Sequence, residues 1–100
     1  MNKKVIYKDK EMNYYKDIDN DSGILAYEIR EDAIEVRFKN GRNNSYIYLK
    51  SDLDSKNINF FKNMCKYAKS GENLNKYINE TEIKTLYKQP PTYNELIKIV

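Results

Sequence analysis

The chain has 100 residues, enough for one domain that buries roughly two thirds of the surface its unfolded form exposes. Lysine and arginine total 18 against 15 acids, a net charge of +3, too small by itself to imply nucleic acid or an anionic membrane. With no histidine and a single cysteine, Ser-His and Cys-His nucleophile pairs and the usual zinc sets are excluded, as is an intramolecular disulfide.

Residues 1–21 are polar and charge-mixed, with Ile6, Tyr7, Tyr14 and Tyr15 as the main apolar content, and read as a loosely attached N-terminal arm or short strand. No signal-peptide core opens this stretch and no apolar run is long enough to span a membrane, so a cytoplasmic protein is expected. Cys65 then reads as a buried thiol in a reducing compartment.

From Gly23 the pattern changes. Residues 24–29 read as a strand, and Arg30-Glu31-Asp32 supplies a polar turn. Ile34, Val36 and Phe38 alternate with Glu35, Arg37 and Lys39, the period-2 signature of a half-buried antiparallel strand. Asn40-Gly41 marks a turn, because both residues tolerate positive φ, and residues 45–49 follow as a third strand. Ser51-Asp52 or Asp54-Ser55 caps a helix in which Ile58, Phe61, Cys65 and Ala68 form an apolar stripe, ending at Gly71 in a left-handed cap. Leu74, Tyr77 and Ile78 continue as another helical turn, and residues 83–87 fit either a strand or a helix. Pro90-Pro91 breaks the chain, and Thr92-Tyr93-Asn94-Glu95 reads as a capping box opening a short helix over 95–100.

These elements predict an α+β fold: a three-stranded antiparallel meander covered on one face by a helix, plus a short C-terminal helix. The expected core is Ile34, Val36, Phe38, Ile58, Phe61, Met64, Cys65, Ala68 and Leu74.

Three constellations carry chemistry. Asp17, Asp19 and Asp21 with Glu28 match the oxygen-ligand spacing of an EF-hand Ca²⁺ loop. Ser22 stands where that loop needs glycine, and strands follow it instead of a helix, so a solvated acidic turn is the simpler reading and no cofactor is expected. Lys62, Lys66 and Lys69 recur at i, i+4 and i+7 with no acid between Lys56 and Lys69, which reads either as a solvated helix face or as a phosphate-tracking one. Tyr46 and Tyr48 either lie on an open sheet face, where bases could stack on them, or pack in the core, depending on strand register. Glu31/Asp32, Asp52/Asp54 and Glu80/Glu82 fall at turns or caps, and nothing supplies a base poised near neutral pH, so catalysis is not expected.

In order, Ser22-Gly23-Ile24, the alternation from Ile34 to Phe38, Asn40-Gly41, Tyr46 with Tyr48, residues 68–71 and residues 75–78 resemble the KTSC family. This small domain occurs alone in bacterial and phage proteins and at the C-terminus of some lysyl-tRNA synthetases. The resemblance covers residues 22–87, with 88–100 left as a tail; the proline that often follows the family's Tyr-x-Tyr strand is absent after Leu49. It implies a fold and a loose association with RNA. The functional expectation is a non-catalytic binding module for RNA or single-stranded nucleic acid. The alternative is a protein-interaction module, such as a phage or mobile-element inhibitor of a bacterial enzyme, with the apolar 96–100 segment as a contact or homodimer surface.

Overall fold

The computed structural model describes residues 3–18, 22–39, 44–89, 92 and 95–100. Asp19, Asp21, the Asn40-Gly41 turn and the Pro90-Pro91 break lie outside the described residues. The fold is α+β, but its sheet has six strands where a three-stranded meander was expected. The strands are β1 (Lys4–Tyr7), β2 (Glu11–Tyr14), β3 (Ile24–Ile29), β4 (Ala33–Phe38), β5 (Ser45–Leu49) and β6 (Leu96–Ile99). Their spatial order is β5-β4-β3-β2-β1-β6, with every neighbouring pair antiparallel.

The expected meander is β3-β4-β5. The N-terminal stretch, expected as an arm or a short strand, is the β1-β2 hairpin paired to β3 through Asn13↔Tyr27 and Tyr14↔Ala26. Val5, Tyr7 and Met12 are buried there, and this apolar set ties the hairpin down. The C-terminal segment, expected as a helix, is strand β6, paired to β1 through Val5↔Ile99 and Ile6↔Lys98. A six-residue helix cannot recover its nucleation cost alone, whereas Leu-Ile-Lys-Ile finds a ready hydrogen-bonding edge on β1.

Helices α1 (Lys50–Lys56), α2 (Phe60–Ser70) and α3 (Leu74–Asn79) and a 3-10 turn (Glu82–Thr85) contribute to the main core. Helix α1 follows β5 directly, with Leu49 at its N-cap and no side-chain cap, so neither expected cap position is used. The anticipated single helix is broken because Asn57 accepts the Asn59 N–H on its side chain (2.9 Å) and the Phe60 N–H on its backbone (3.0 Å). The break turns Ile58 outward, 72 % exposed, so it leaves the expected core. The buried stripe of α2 is instead Phe60, Met64 and Ala68, at i, i+4 and i+8, with Phe61 and Cys65 half-buried beside it. Ile34, Val36 and Leu74 are buried as expected, and Phe38 is half-buried. Gly71 ends α2 at φ 79°, the expected left-handed cap.

The main core joins Ile24, Ile34, Val36 and Tyr48 to residues of all three helices. A second core holds Val5, Tyr7, Met12, Leu25 and Ala26. A register shift between Ile24 and Ala26 in β3 lets consecutive residues serve both clusters.

By strand alternation, Glu35 and Arg37 of β4 lie on the face opposite Ile34 and Val36. Both are buried, at 3 % and 2 % exposure. The β1-β2 turn curls over them: Asp9 accepts two bonds from the Arg37 guanidinium (3.0 and 2.8 Å), and Lys10 donates to Glu28 (2.6 Å) and Glu35 (3.3 Å). Arg37 Nε and Ser45 Oγ donate to Glu35 Oε2, and Arg30 bridges Glu28 and Glu35. Burial alone would raise the Glu35 carboxyl; hydrogen bonds from Ser45 and Arg37 outweigh it and hold the group below its ordinary range. The bidentate Arg37 contact does the same for Asp9. The Arg37 guanidinium lies 4.3 Å from the Tyr7 ring centroid, and burial pushes the Tyr7 phenol up to about 12.

Candidate nucleic-acid interface

Lys62, Lys66 and Lys69 are all exposed on α2 and make no ion pair among the described residues. Lys66 lies over the Tyr67 ring at 5.7 Å, and Lys69 occupies the last helical turn, where the helix dipole favours a cation. The stripe anticipated from spacing is therefore present as one charged face.

The tyrosine pair behaves differently. Val36↔Tyr46 and Ile34↔Tyr48 are cross-strand partners, so both tyrosines share the helix-covered face with Val36 and Ile34. Tyr48 is 2 % exposed, and burial raises its phenol well above the ordinary value. Tyr46 is half-buried and meets Phe38 and Tyr87 edge-on, at 5.2 and 4.9 Å between centroids. A base cannot reach the face of Tyr48 in the folded protein. The buried register is the one observed, so the open-face reading of this pair falls away.

The acidic constellation is also taken apart. Asp17 sits at φ 52°, accepts the Ser22 N–H (3.1 Å) and pairs with Lys39 (3.1 Å). Lys39 is anchored to Gly23 through the backbone, which fixes Asp17 at the start of β3. Glu28 lies five residues beyond Gly23, about 16 Å along an extended strand, and is bound to Lys10 and Arg30. Asp17 and Glu28 cannot ligate one Ca²⁺, and among the described residues no group of three metal-ligating side chains converges.

A groove of about 900 Å³ opens where Lys69 meets the N-terminal hairpin. Tyr14 and Asn13 of β2, Tyr27 and Ile29 of β3, and Lys3, Lys16 and Lys69 line it. The chain converges here for identifiable reasons. The Tyr14 N–H bonds the Lys3 carbonyl (3.2 Å) and closes the end of the groove; the Tyr14 ring packs on the second core, on the sheet face opposite Tyr27, with the Lys3 ammonium 5.0 Å from its centroid. The segment leaving β2 crosses the end of α2: Ile18 N–H bonds the Gly71 carbonyl (2.8 Å), and the Leu74 N–H bonds the Tyr15 hydroxyl (3.3 Å). A side chain on Gly71 would put its Cβ 2.6 Å from the Lys16 Cβ, so glycine lets Lys16 pack against the helix end.

Among the described residues no acid lines the groove, and Lys3 and Lys16, like Lys69, make no ion pair. Tyr27 is half-buried with its phenol raised by burial, and Asn13 Oδ1 accepts from Lys4 at 2.7 Å. Such a site offers cations and aromatic surface to an anionic, planar ligand. Of its residues only Lys69 was singled out from sequence. Lys3, Asn13, Tyr14 and Lys16 fell in the presumed arm, and no local spacing links them to Tyr27 or Lys69; only the β1-β2 hairpin does.

A second concavity, lined by Glu31, Asp32, Lys50 and Asp54 among others, is acidic, with Lys50 paired to Asp54 at 2.6 Å. Among the described residues no helix is long and apolar enough to cross a membrane. Comparison with protein-family models, curated proteins and solved structures gave no match to the chain.

Proposed function

We propose that this protein is a non-catalytic module that binds single-stranded nucleic acid, RNA before DNA. The observation that carries the reading is the groove in which Lys16 and Lys69, from separate chain segments, meet Asn13 and Tyr27, with no acid among its described lining residues. The Lys62-Lys66-Lys69 face leads to it along α2, giving phosphates a track of about 10 Å at 1.5 Å per helical residue. Like charges at i, i+4 repel mildly, and phosphate binding would relieve that cost. The resemblance to KTSC domains, with their synthetase fusions, adds an RNA association.

Fluorescence anisotropy with labelled single-stranded RNA and tRNA, at low and at physiological salt, tests this. Binding should weaken as salt rises, and a Lys16→Gln/Lys69→Gln variant should flatten the slope of log K against log salt by roughly 1.4, at about 0.7 per lost single-strand phosphate contact. Absence of binding at either salt would sink the proposal.

Protein interaction is the second reading, favoured by β6. This strand is outermost in the sheet, and Ile97, Ile99 and Val100 are exposed at 53 %, 43 % and 57 %. The opposite edge strand, β5, is partly covered by its own chain, through the Tyr48↔Tyr87 bridge and the Lys88 N–H to the Ile47 carbonyl. Binding of a protein or of a second copy through β6 should change little with salt.

A further inference from the structure

Resting on the nucleic-acid reading, we propose that the groove selects a base with a carbonyl edge, uracil or thymine, over adenine, and that Asn13 sets this preference. Asn13 stands in the groove wall beside its cross-strand neighbour Tyr27. A lysine ammonium can only donate, so the 2.7 Å contact between Lys4 Nζ and Asn13 fixes the amide with its oxygen toward Lys4. The amide nitrogen remains as the group Asn13 has to offer, and nothing among the described residues accepts from it. The usual asparagine pairing with adenine needs both amide atoms, one donating to N7 and one accepting from N6. Here one lone pair of that oxygen is committed to Lys4, which leaves the N–H groups as the freer half of the amide.

The other polar groups lining the groove act in the same direction. Lys16 and Lys69 are donors only, and the Tyr27 hydroxyl can donate as readily as accept. A ligand rich in acceptors is therefore matched: phosphate oxygens for the lysines, a base carbonyl for Asn13, and a ring against tyrosine. Uracil presents two carbonyl acceptors around one ring N–H, whereas adenine offers ring-nitrogen acceptors beside an amino donor for which the groove has no committed acceptor. Stacking strength alone would favour the purine, so the two influences oppose each other and can be separated.

The test is the ratio of affinities for labelled oligo(U) and oligo(A) of equal length, measured by anisotropy at one salt concentration. Wild type is compared with Asn13→Ala and with Asn13→Asp. Self-stacking of oligo(A) belongs to the free strand and cancels between proteins. Loss of one hydrogen bond should lower the U-over-A ratio of Asn13→Ala by about three- to tenfold. Asn13→Asp keeps a partner for Lys4 and replaces the donor with an acceptor; it should weaken both strands and move the ratio toward A. Unchanged ratios in both variants, with binding intact, would overturn the assignment of Asn13 alone. Failure of every strand to bind wild type would instead overturn the nucleic-acid reading and this inference with it.

Discussion

Asp9, in the turn between β1 and β2, closes a two-point ion pair on Arg37 of β4, 28 residues away and one strand removed across the sheet. Even a flat sheet would hold β2 and β4 only about 10 Å apart, a gap that the long Arg37 side chain spans from one strand to the turn beyond the next. Arg37 is 2 % exposed, and Asp9 is the partner that closes it from solvent. Asp9→Ala should cost about 2 kcal/mol in urea unfolding, the scale of a charged hydrogen-bonded contact, because a buried guanidinium loses half its partners. A change under 0.5 kcal/mol would mean that water replaces the carboxylate freely.

The same cluster sets the acid limit of stability. Asp9, Glu28 and Glu35 all have carboxyls held below their ordinary values of 3.8, 4.5 and 4.5. Between the folded and the ordinary values the unfolded chain binds more protons, so stability rises with pH there. The contribution is complete above about pH 5 and should disappear as pH falls through the lowered values. Melting temperatures measured downward from pH 6 check this; a loss of stability beginning above pH 5 would contradict it.

At the alkaline end the sign reverses. The Tyr7 phenol is raised from 10.0 to about 12 by burial, against the pull of Arg37, so its contribution is complete below pH 10 and is lost as pH rises toward 12. Tyrosinate absorbance and circular dichroism followed together should change in step across that interval. Tyr7→Phe should shift the loss to higher pH, and it removes a buried hydroxyl that has no hydrogen-bond partner among the described residues.

Gly71→Ala should destabilise by about 2 kcal/mol or more. The residue sits at φ 79°, and its added Cβ would meet the Lys16 Cβ at 2.6 Å. Lys16 would be displaced, so the variant should also lose binding in the groove. Thermal unfolding and anisotropy on one preparation test both parts.

Two tyrosines separate folding from binding. Tyr48→Ala empties a fully buried site and should cost about 3–5 kcal/mol. Tyr27→Ala, on a half-buried ring lining the groove, should cost less stability and in addition weaken single-strand binding by roughly 1–3 kcal/mol. Unchanged binding would remove Tyr27 from the interface. Ile58→Ser, at an exposed position, should stay within about 0.5 kcal/mol of wild type.

Much of the β3-β4-β5 meander was legible because β4 alternates cleanly and Gly71 stands where a helix must end. The face of Tyr46 and Tyr48 was not: both phases of Ser45-Tyr46-Ile47-Tyr48-Leu49 carry apolar side chains, so period-2 alternation has no preferred sense, and only pairing with Ile34 and Val36 decides it. Asn57 hid the break between α1 and α2, because a side chain bonding a backbone N–H leaves no mark on apolar spacing. Strands β1, β2 and β6 have four residues each, too short for a periodic signal, and they hold one another through a core whose members lie at both ends of the chain. The groove inherits that obscurity, since one of its walls is the β1-β2 hairpin.

The two walls of the groove belong to separately packed halves, the helical layer and the N-terminal hairpin, joined by the crossing segment at Tyr15 and Ile18. A strand lying between Lys69 and Asn13 would act as a cross-brace. Its binding energy would add to the work of opening the hairpin, so amides of β1 and β2 would exchange more slowly in the complex by a factor that grows with ligand concentration over Kd.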